Sequence, residues 1–261
     1  MIDFNCFTGS WPFHPIRGGS FAELKRLHRE NGISKGVVSS FQSLFYREFF
    51  LAEEELHRQL KDSEYRQVMT VNPAHPYCLE GIAYGLQNWN IAGVRLVPTY
   101  HGFQLEDPQV LKLCEFLEQY RLPLFLTLRM EDERVSYLLK PKQPEPEQTD
   151  RFLKRFPKLP ILLCSAKQYE LEEWRDTILS RSNIFYEGSN LKSSAAPLEL
   201  LEEKLLERMV YGSTAPLLCL KSSLLSLQTD RIEENLRQSI QNGSLFYPYI
   251  LDAERSIDHI H

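Results

Sequence analysis

Short apolar runs of strand length alternate along this chain with longer stretches whose apolar residues recur at helical spacing. The runs predict strands at 2–7, 35–41, 67–71, 92–97, 124–129, 161–165, 184–187 and 209–212. Between the first two, residues 21–31 carry Phe21, Leu24 and Leu27 on one helical face and stop at Asn31-Gly32, a pair suited to ending a helix. Further helices are predicted over 45–59, 79–89, 108–120, 149–156, 171–180, 198–206 and roughly 229–241. Strand and helix in strict alternation indicate βα units around a parallel sheet, and eight such units make an α/β fold of the (β/α)8 TIM-barrel type.

Two segments depart from the pattern. Residues 140–148 contain Pro141, Pro144 and Pro146, which remove backbone donors and predict a loop. It follows the fifth strand, on the face where barrel enzymes keep their sites, and is read either as a partial lid or as a passive surface loop. The polar tail 251–261, with His259 and His261, is expected to be a frayed terminus.

Composition narrows the class without naming a chemistry. A chain of 261 residues fits one barrel domain spanning 1–261, and 43% hydrophobic with 25% charged residues is ordinary globular usage. A net charge of −5 with no long basic run argues against nucleic acid or an anionic membrane as partner. No apolar run reaches membrane-span length and no leader pattern precedes the first strand, so a cytoplasmic location is expected. The five widely spaced cysteines Cys6, Cys78, Cys114, Cys164 and Cys219 are expected as reduced thiols, with no CxxC pair for zinc. Self-association into a homo-oligomer is left open.

The opening Ile2-Asp3-Phe4-Asn5-Cys6-Phe7-Thr8-Gly9 resembles the first strand of the amidohydrolase-related family, the amidohydrolase 2 branch of the metal-dependent hydrolases, whose pattern is Ile-Asp-x-His-x-His-x-Gly. Gly93-Val94-Arg95-Leu96-Val97-Pro98-Thr99-Tyr100-His101-Gly102 is similar to the branch's Gly-x-Arg-Leu-x-Pro-x-Tyr-His-Gly. Leu122-Pro123 through Thr127, Phe156-Pro157 through Ser165, and Gly212-Ser213-Thr214-Ala215-Pro216 resemble its later strand motifs. The resemblance covers almost the whole chain and implies a TIM barrel of a hydrolase or decarboxylase lineage acting on small carbonyl or carboxylate compounds. It also implies that Asn5, Phe7, Thr127 and Thr214 occupy metal-ligand positions and Ser165 that of a catalytic histidine. Those residues are poor ligands or none, so neither metal nor other cofactor is expected at those positions.

The remaining polar groups gather at the ends of the fourth and fifth strands. Alternation from Thr127 would aim Arg129 at the pocket, and Arg95 with Arg129 would clamp a small anion. Asn5, Tyr100, Thr127, Ser165 and Thr214 are the other candidate substrate contacts. His101 with Glu131 or Asp132 is the candidate acid–base set. Each has a structural alternative: a buried ion pair for Arg95, a salt-bridged loop for residues 129–134, a loop-orienting hydrogen bond for His101. Trp11, Pro12, Phe13 and His14 are expected to wall the pocket or simply pack, and phosphate binding after Gly188-Ser189 or Gly212-Ser213 is a minor option. Two functional readings follow: a metal-independent hydrolase or lyase, and a catalytically inactive barrel that binds a metabolite or a protein. A metal hydrolase with atypical ligands is the third.

Overall fold

The structure is a computed structural model and describes residues 1–89, 91–131, 142–191, 202–229 and 232–255. Eight strands form one parallel sheet in sequential order: β1 (Ile2–Thr8), β2 (Lys35–Ser40), β3 (Arg66–Thr70), β4 (Gly93–Leu96), β5 (Leu124–Thr127), β6 (Ile161–Cys164), β7 (Ile184–Glu187) and β8 (Met209–Val210). Phe4 N–H donates to the Tyr211 carbonyl at 2.9 Å, and Thr214 N–H to the Asn5 carbonyl at 2.7 Å. A bridge between Cys6 and Ala215 extends this seam, so β8 returns to β1 and the sheet curls into a nearly closed barrel. The TIM-barrel expectation holds.

The strand predictions differ from the observed elements by a few residues at their ends. β2 stops at Ser40, whose hydroxyl accepts from Gln42 N–H and caps the short α2 (Phe41–Phe45); the outer helix α3 (Phe49–Leu60) follows. α1 (Phe21–Glu30) opens with a reciprocal capping box between Ser20 and Glu23. The predicted helix at 171–180 is two short ones, Gln168–Glu173 and Arg175–Ser180. Helix Pro146–Arg155 begins inside the predicted loop, because proline needs no donor at the first helical position. Residues 132–141 and 198–201 lie outside the described residues. Part of the expected frayed tail is instead the helix Tyr247–Arg255, with residues 256–261 outside the described residues. No helix among the described residues is long and apolar enough to cross a membrane.

Packing divides into three layers. The main core lies between strands and outer helices. A second cluster fills the N-terminal half of the barrel, where Phe4, Phe125 and Phe185 meet Phe246 at ring separations of 5.7, 5.8 and 5.2 Å. Phe246 reaches the axis from beyond β8. It follows Gly243, whose left-handed φ of 59° lies so close to Phe4 that any Cβ there would collide with the ring at 2.3 Å. The third cluster, Phe7, Trp11, Phe41, Leu44, Val97 and Met130, covers the C-terminal mouth.

Candidate functional site

Between the lower plug and the upper cap lies a polar layer. A register shift between Asp3 and Cys6 interrupts the alternation of β1, so Phe4 joins the lower plug while the next residue, Asn5, enters the polar layer. Asn5 Nδ2 donates to Glu187 Oε1 at 3.0 Å and to Thr214 Oγ1 at 2.9 Å. The Thr214 and Ser189 hydroxyls are 2.7 Å apart, and Ser189 Oγ donates to Glu187 Oε1 at 2.9 Å. Donor and acceptor inventory then closes a ring from Asn5 through Thr214 and Ser189 to Glu187. Backbone N–H groups of Ser165 and Ser189 add two bonds to Glu187, both 2.6 Å.

Asn5, Ser165, Ser189, Thr214 and Glu187 are at most 2% exposed. Burial pushes the Glu187 carboxyl up from its ordinary value, against the pull of these hydrogen bonds. Ser165 and Thr214 hold left-handed φ values of 59° and 53°. For a β-branched threonine this is an outlier costing on the order of 1–3 kcal/mol. The strained turns are the ones that present Ser165 N–H to Glu187 and Thr214 Oγ1 to Asn5.

Arg95 lies in the same layer and is fully buried. Its Nε donates to Ser39 Oγ at 2.9 Å and its Nη1 to Thr127 Oγ1 at 2.6 Å. The guanidinium sits 4.5 Å from the Phe7 ring centroid, and Phe7 in turn stacks on Phe41. Three buried polar atoms of this layer, Arg95 Nη2, Asn5 Oδ1 and Ser165 Oγ, have no hydrogen-bond partner among the described residues.

Asn5, Ser165 and Thr214 are thus brought together through Glu187, while Thr127 joins through Arg95. Glu187 was not among the sequence candidates, and Ser189 entered only with the minor phosphate option. Glu187 ends a predicted strand and was visible as a carboxylate at a strand terminus, the signal that would have nominated it.

Arg129 is taken up by a buried ion pair, the structural alternative to an anion clamp. Strand β5 ends at Thr127, so the alternation that would aim Arg129 inward has already stopped. Its Nη1 and Nη2 form a bidentate pair with Glu170 at 2.7 and 2.5 Å, and Nη1 also donates to the Ser165 carbonyl at 2.6 Å.

His101 also points elsewhere than expected. It closes the short helix Pro98–His101, with Nε2 3.2 Å from the Leu44 carbonyl. Burial lowers its pKa to about 4, so it is neutral at pH 7 and acts as a loop-orienting group. Glu131 instead meets His14 Nε2 at 3.1 Å and the Tyr100 hydroxyl at 3.4 Å. The pairing of His101 with Glu131 is therefore corrected to His14 with Glu131; Asp132 lies outside the described residues. Trp11 and Phe13 pack on Tyr100 at 5.6 and 6.1 Å, which is the packing alternative given for that loop. A separate groove of ≈ 850 Å³ runs between this loop and α3, past Gly9, Trp11, Ile16, Gln42 and Leu51, and contains none of the candidate substrate-contact or acid–base residues.

No protein-family model and no curated protein matches this sequence. Solved structures match along nearly its whole length. An uncharacterised TIM-barrel protein from Bordetella bronchiseptica superposes with a TM-score of 0.70 at 16% identity, covering 97% of this chain and 98% of that one. The 5-carboxyvanillate decarboxylase of Sphingomonas paucimobilis gives 0.72 at 15% identity, with 94% and 98% covered. A dihydroxybenzoic acid decarboxylase from Polaromonas sp. JS666, with bound manganese and the inhibitor 2-nitroresorcinol, gives 0.71 at 14% identity, with 94% and 96% covered. Barrels of amidohydrolase type are also among the matches. At such identities the likeness establishes a shared fold.

Proposed function

We propose that this chain is an amidohydrolase-like barrel of hydrolase or lyase type that takes a small carboxylate or carbonyl compound into the polar layer of its interior and does so without a divalent metal at the barrel axis. The observation that carries this reading is Arg95 Nη2, a buried charged donor whose protein partners leave it unsatisfied. Leaving such a group unmatched costs at least about 1–3 kcal/mol, which a carboxylate or carbonyl oxygen would offset. Asn5 Oδ1 and Ser165 Oγ supply an acceptor and a hydroxyl in the same layer. Glu187, raised by burial, is the group suited to proton transfer there.

The donor set supports the metal-free part. The positions implied as ligands carry an amide, a phenyl ring and two hydroxyls, and one of them, Phe7, lies against a guanidinium. Such a set does not fit a divalent transition metal, and no step is routed through one. The inactive-barrel reading keeps one specific support, since Phe7, Trp11, Phe41 and Met130 are each at most 4% exposed over the layer. A ligand must displace part of this cap.

The test is a thermal-shift screen of small carboxylates, lactones and amides, followed by turnover assays on any compound that stabilises the protein. A stabilising carboxylate is expected, and Arg95→Met should abolish its shift. Native mass spectrometry of the unmodified protein with the same compound supplies a readout if the variant does not fold. A compound that binds equally well to Arg95→Met would overturn the reading, and tight binding without turnover would favour the inactive barrel.

A further inference from the structure

Outside the barrel, in the layer between β1, β8 and α1, a second group of donors has no role in the reading above. Asp3, Cys6 and His28 offer a carboxylate oxygen, a sulfur and an imidazole nitrogen that lie within 4.8 Å of one another. All three are fully buried. His28 Nε2 is 3.2 Å from Asp3 Oδ2, while its Nδ1 is 3.0 Å from the Tyr65 hydroxyl. A nitrogen that close to a carboxylate holds between them either its own N–H proton or a metal ion.

Two further observations bear on which it is. Nε2 makes no hydrogen bond of acceptable geometry despite its proximity to Asp3, so a bridging proton is poorly placed. The Tyr211 hydroxyl, also buried, has no hydrogen-bond partner, and Asp3 and Cys6 are among the groups that raise its pKa, after burial itself. An imidazole nitrogen without a well-formed hydrogen bond and a buried phenol without a partner thus lie within electrostatic range of the same carboxylate and thiol.

We propose that Asp3, Cys6 and His28 form a binding site for a divalent transition ion of the zinc class, with Tyr211 beside the fourth position. One sulfur, one imidazole nitrogen and one carboxylate oxygen are a borderline-soft set suited to zinc. Metal–ligand bonds of about 2.0–2.3 Å put tetrahedral ligand atoms roughly 3.3–3.8 Å apart, so atoms now within 4.8 Å of one another would draw together as the ion binds. The surrounding bonds match the outer partners such sites use. Tyr65 orients the imidazole, while Asp3 is held by the N–H of Asn5 at 3.1 Å and by the N–H and hydroxyl of Ser213 at 3.0 and 2.5 Å. Burial pushes the Cys6 thiol well up in pKa; binding would displace its proton, which leaves to solvent as the ion enters. The ion would tie β1 to α1. It is independent of what the barrel interior binds.

Because the site is sealed, the ion must be supplied during folding. Protein produced in zinc- or cobalt-supplemented medium is expected to retain about one ion per chain by elemental analysis after dialysis. The cobalt form should show thiolate-to-cobalt absorption, and Cys6→Ser should remove that band together with the bound ion. X-ray absorption on the unmodified zinc protein should report one sulfur among nitrogen and oxygen neighbours, a readout that stands if Cys6→Ser or His28→Gln fails to fold. Absence of stoichiometric metal, a metal without a sulfur neighbour, or an ion retained unchanged in Cys6→Ser would each overturn the assignment. None of these results alters the response of Arg95→Met to carboxylates.

Discussion

The two ends of the barrel interior are held by opposite physics. At the N-terminal end Phe4, Phe125, Phe185 and Phe246 fill the axis with rings in edge-to-face and tilted contact. Toward the C-terminal end, beneath the apolar cap of the mouth, β1, β4, β5 and β7 carry the hydrogen-bonded pairs Asn5–Glu187 and Arg95–Thr127, buried as completely as the rings. The apolar end gains from area removed from water and degrades in proportion to the volume lost. The polar end gains little net energy per bond and depends on every partner being present, because each orphaned group retains its desolvation cost. Such a layer costs stability that an apolar core would not. It is where a barrel keeps chemistry or ligand recognition.

The largest effects should expose this difference. Phe246→Ala is expected to destabilise by about 3–5 kcal/mol through a cavity beside Phe4 and Phe185. Arg129→Met should lose a similar amount, about 3–5 kcal/mol, by leaving Glu170 buried without its partner. The distinction appears in rescue. Adding Glu170→Met to Arg129→Met should recover much of the loss in urea unfolding, because the orphaned charge is removed with it. If the double variant is as unstable as the single one, Arg129 is held by something other than this pair.

A pH series sharpens the comparison with an effect of intermediate size. Burial raises the carboxyl of Glu53 on α3 from 4.5 to about 7 and lowers His101 from 6.5 to about 4. Glu53 keeps its proton in the fold where the unfolded chain has lost it. Its contribution is therefore complete below 4.5 and is lost as pH rises to about 7. His101 stays neutral in the fold where the unfolded chain is charged, so its contribution is complete above 6.5 and is lost as pH falls to about 4. Each window is worth about 3 kcal/mol. From roughly pH 4.5 to 6.5 the two slopes oppose each other. Glu53→Gln is expected to leave a stability that rises with pH across this range, and His101→Gln one that falls. Parallel profiles for both variants and the unmodified protein would break the assignment.

The smallest effect belongs to the partly exposed rim. His14→Asn removes the contact with Glu131, whose histidine side chain is 40% exposed, and should change stability by less than about 1 kcal/mol. A loss as large as that of Phe246→Ala would mean that the His14 loop is part of the fold's support rather than the edge of a site.

The alternation of apolar runs and helical stretches was enough to place eight strands, since burial on both faces of a parallel sheet imposes near-continuous apolar segments. Asn5, Thr127, Ser165 and Thr214 were singled out by the motif resemblance, and Arg95 by its place in the polar cluster at the end of the fourth strand. What failed were inferences that needed a side-chain direction beyond the last ladder bond. Arg129 stands two residues past the end of β5, where alternation no longer applies, and Glu170 lies 41 residues away in sequence. His101 lies in a one-turn helix, where helical geometry replaced the extended reading.

Sequence by itself determined the part governed by local periodicity, the barrel of eight alternating strand and helix units. Tertiary structure alone decided the partners. Glu187, not any residue of the predicted acid–base set, receives four donors: two from nearby Ser189, and two from Ser165 and Asn5, 22 and 182 residues away, which the strained turn at Ser165 and the register shift in β1 aim at one carboxylate. The same closure of β8 onto β1 brings Ser213 and Tyr211 beside Asp3 and Cys6, while α1 delivers His28. Hydrogen bonds and ligand sets depend on ångström-scale position. Periodicity along a chain specifies which face a residue occupies, but not which group from another strand will meet it there.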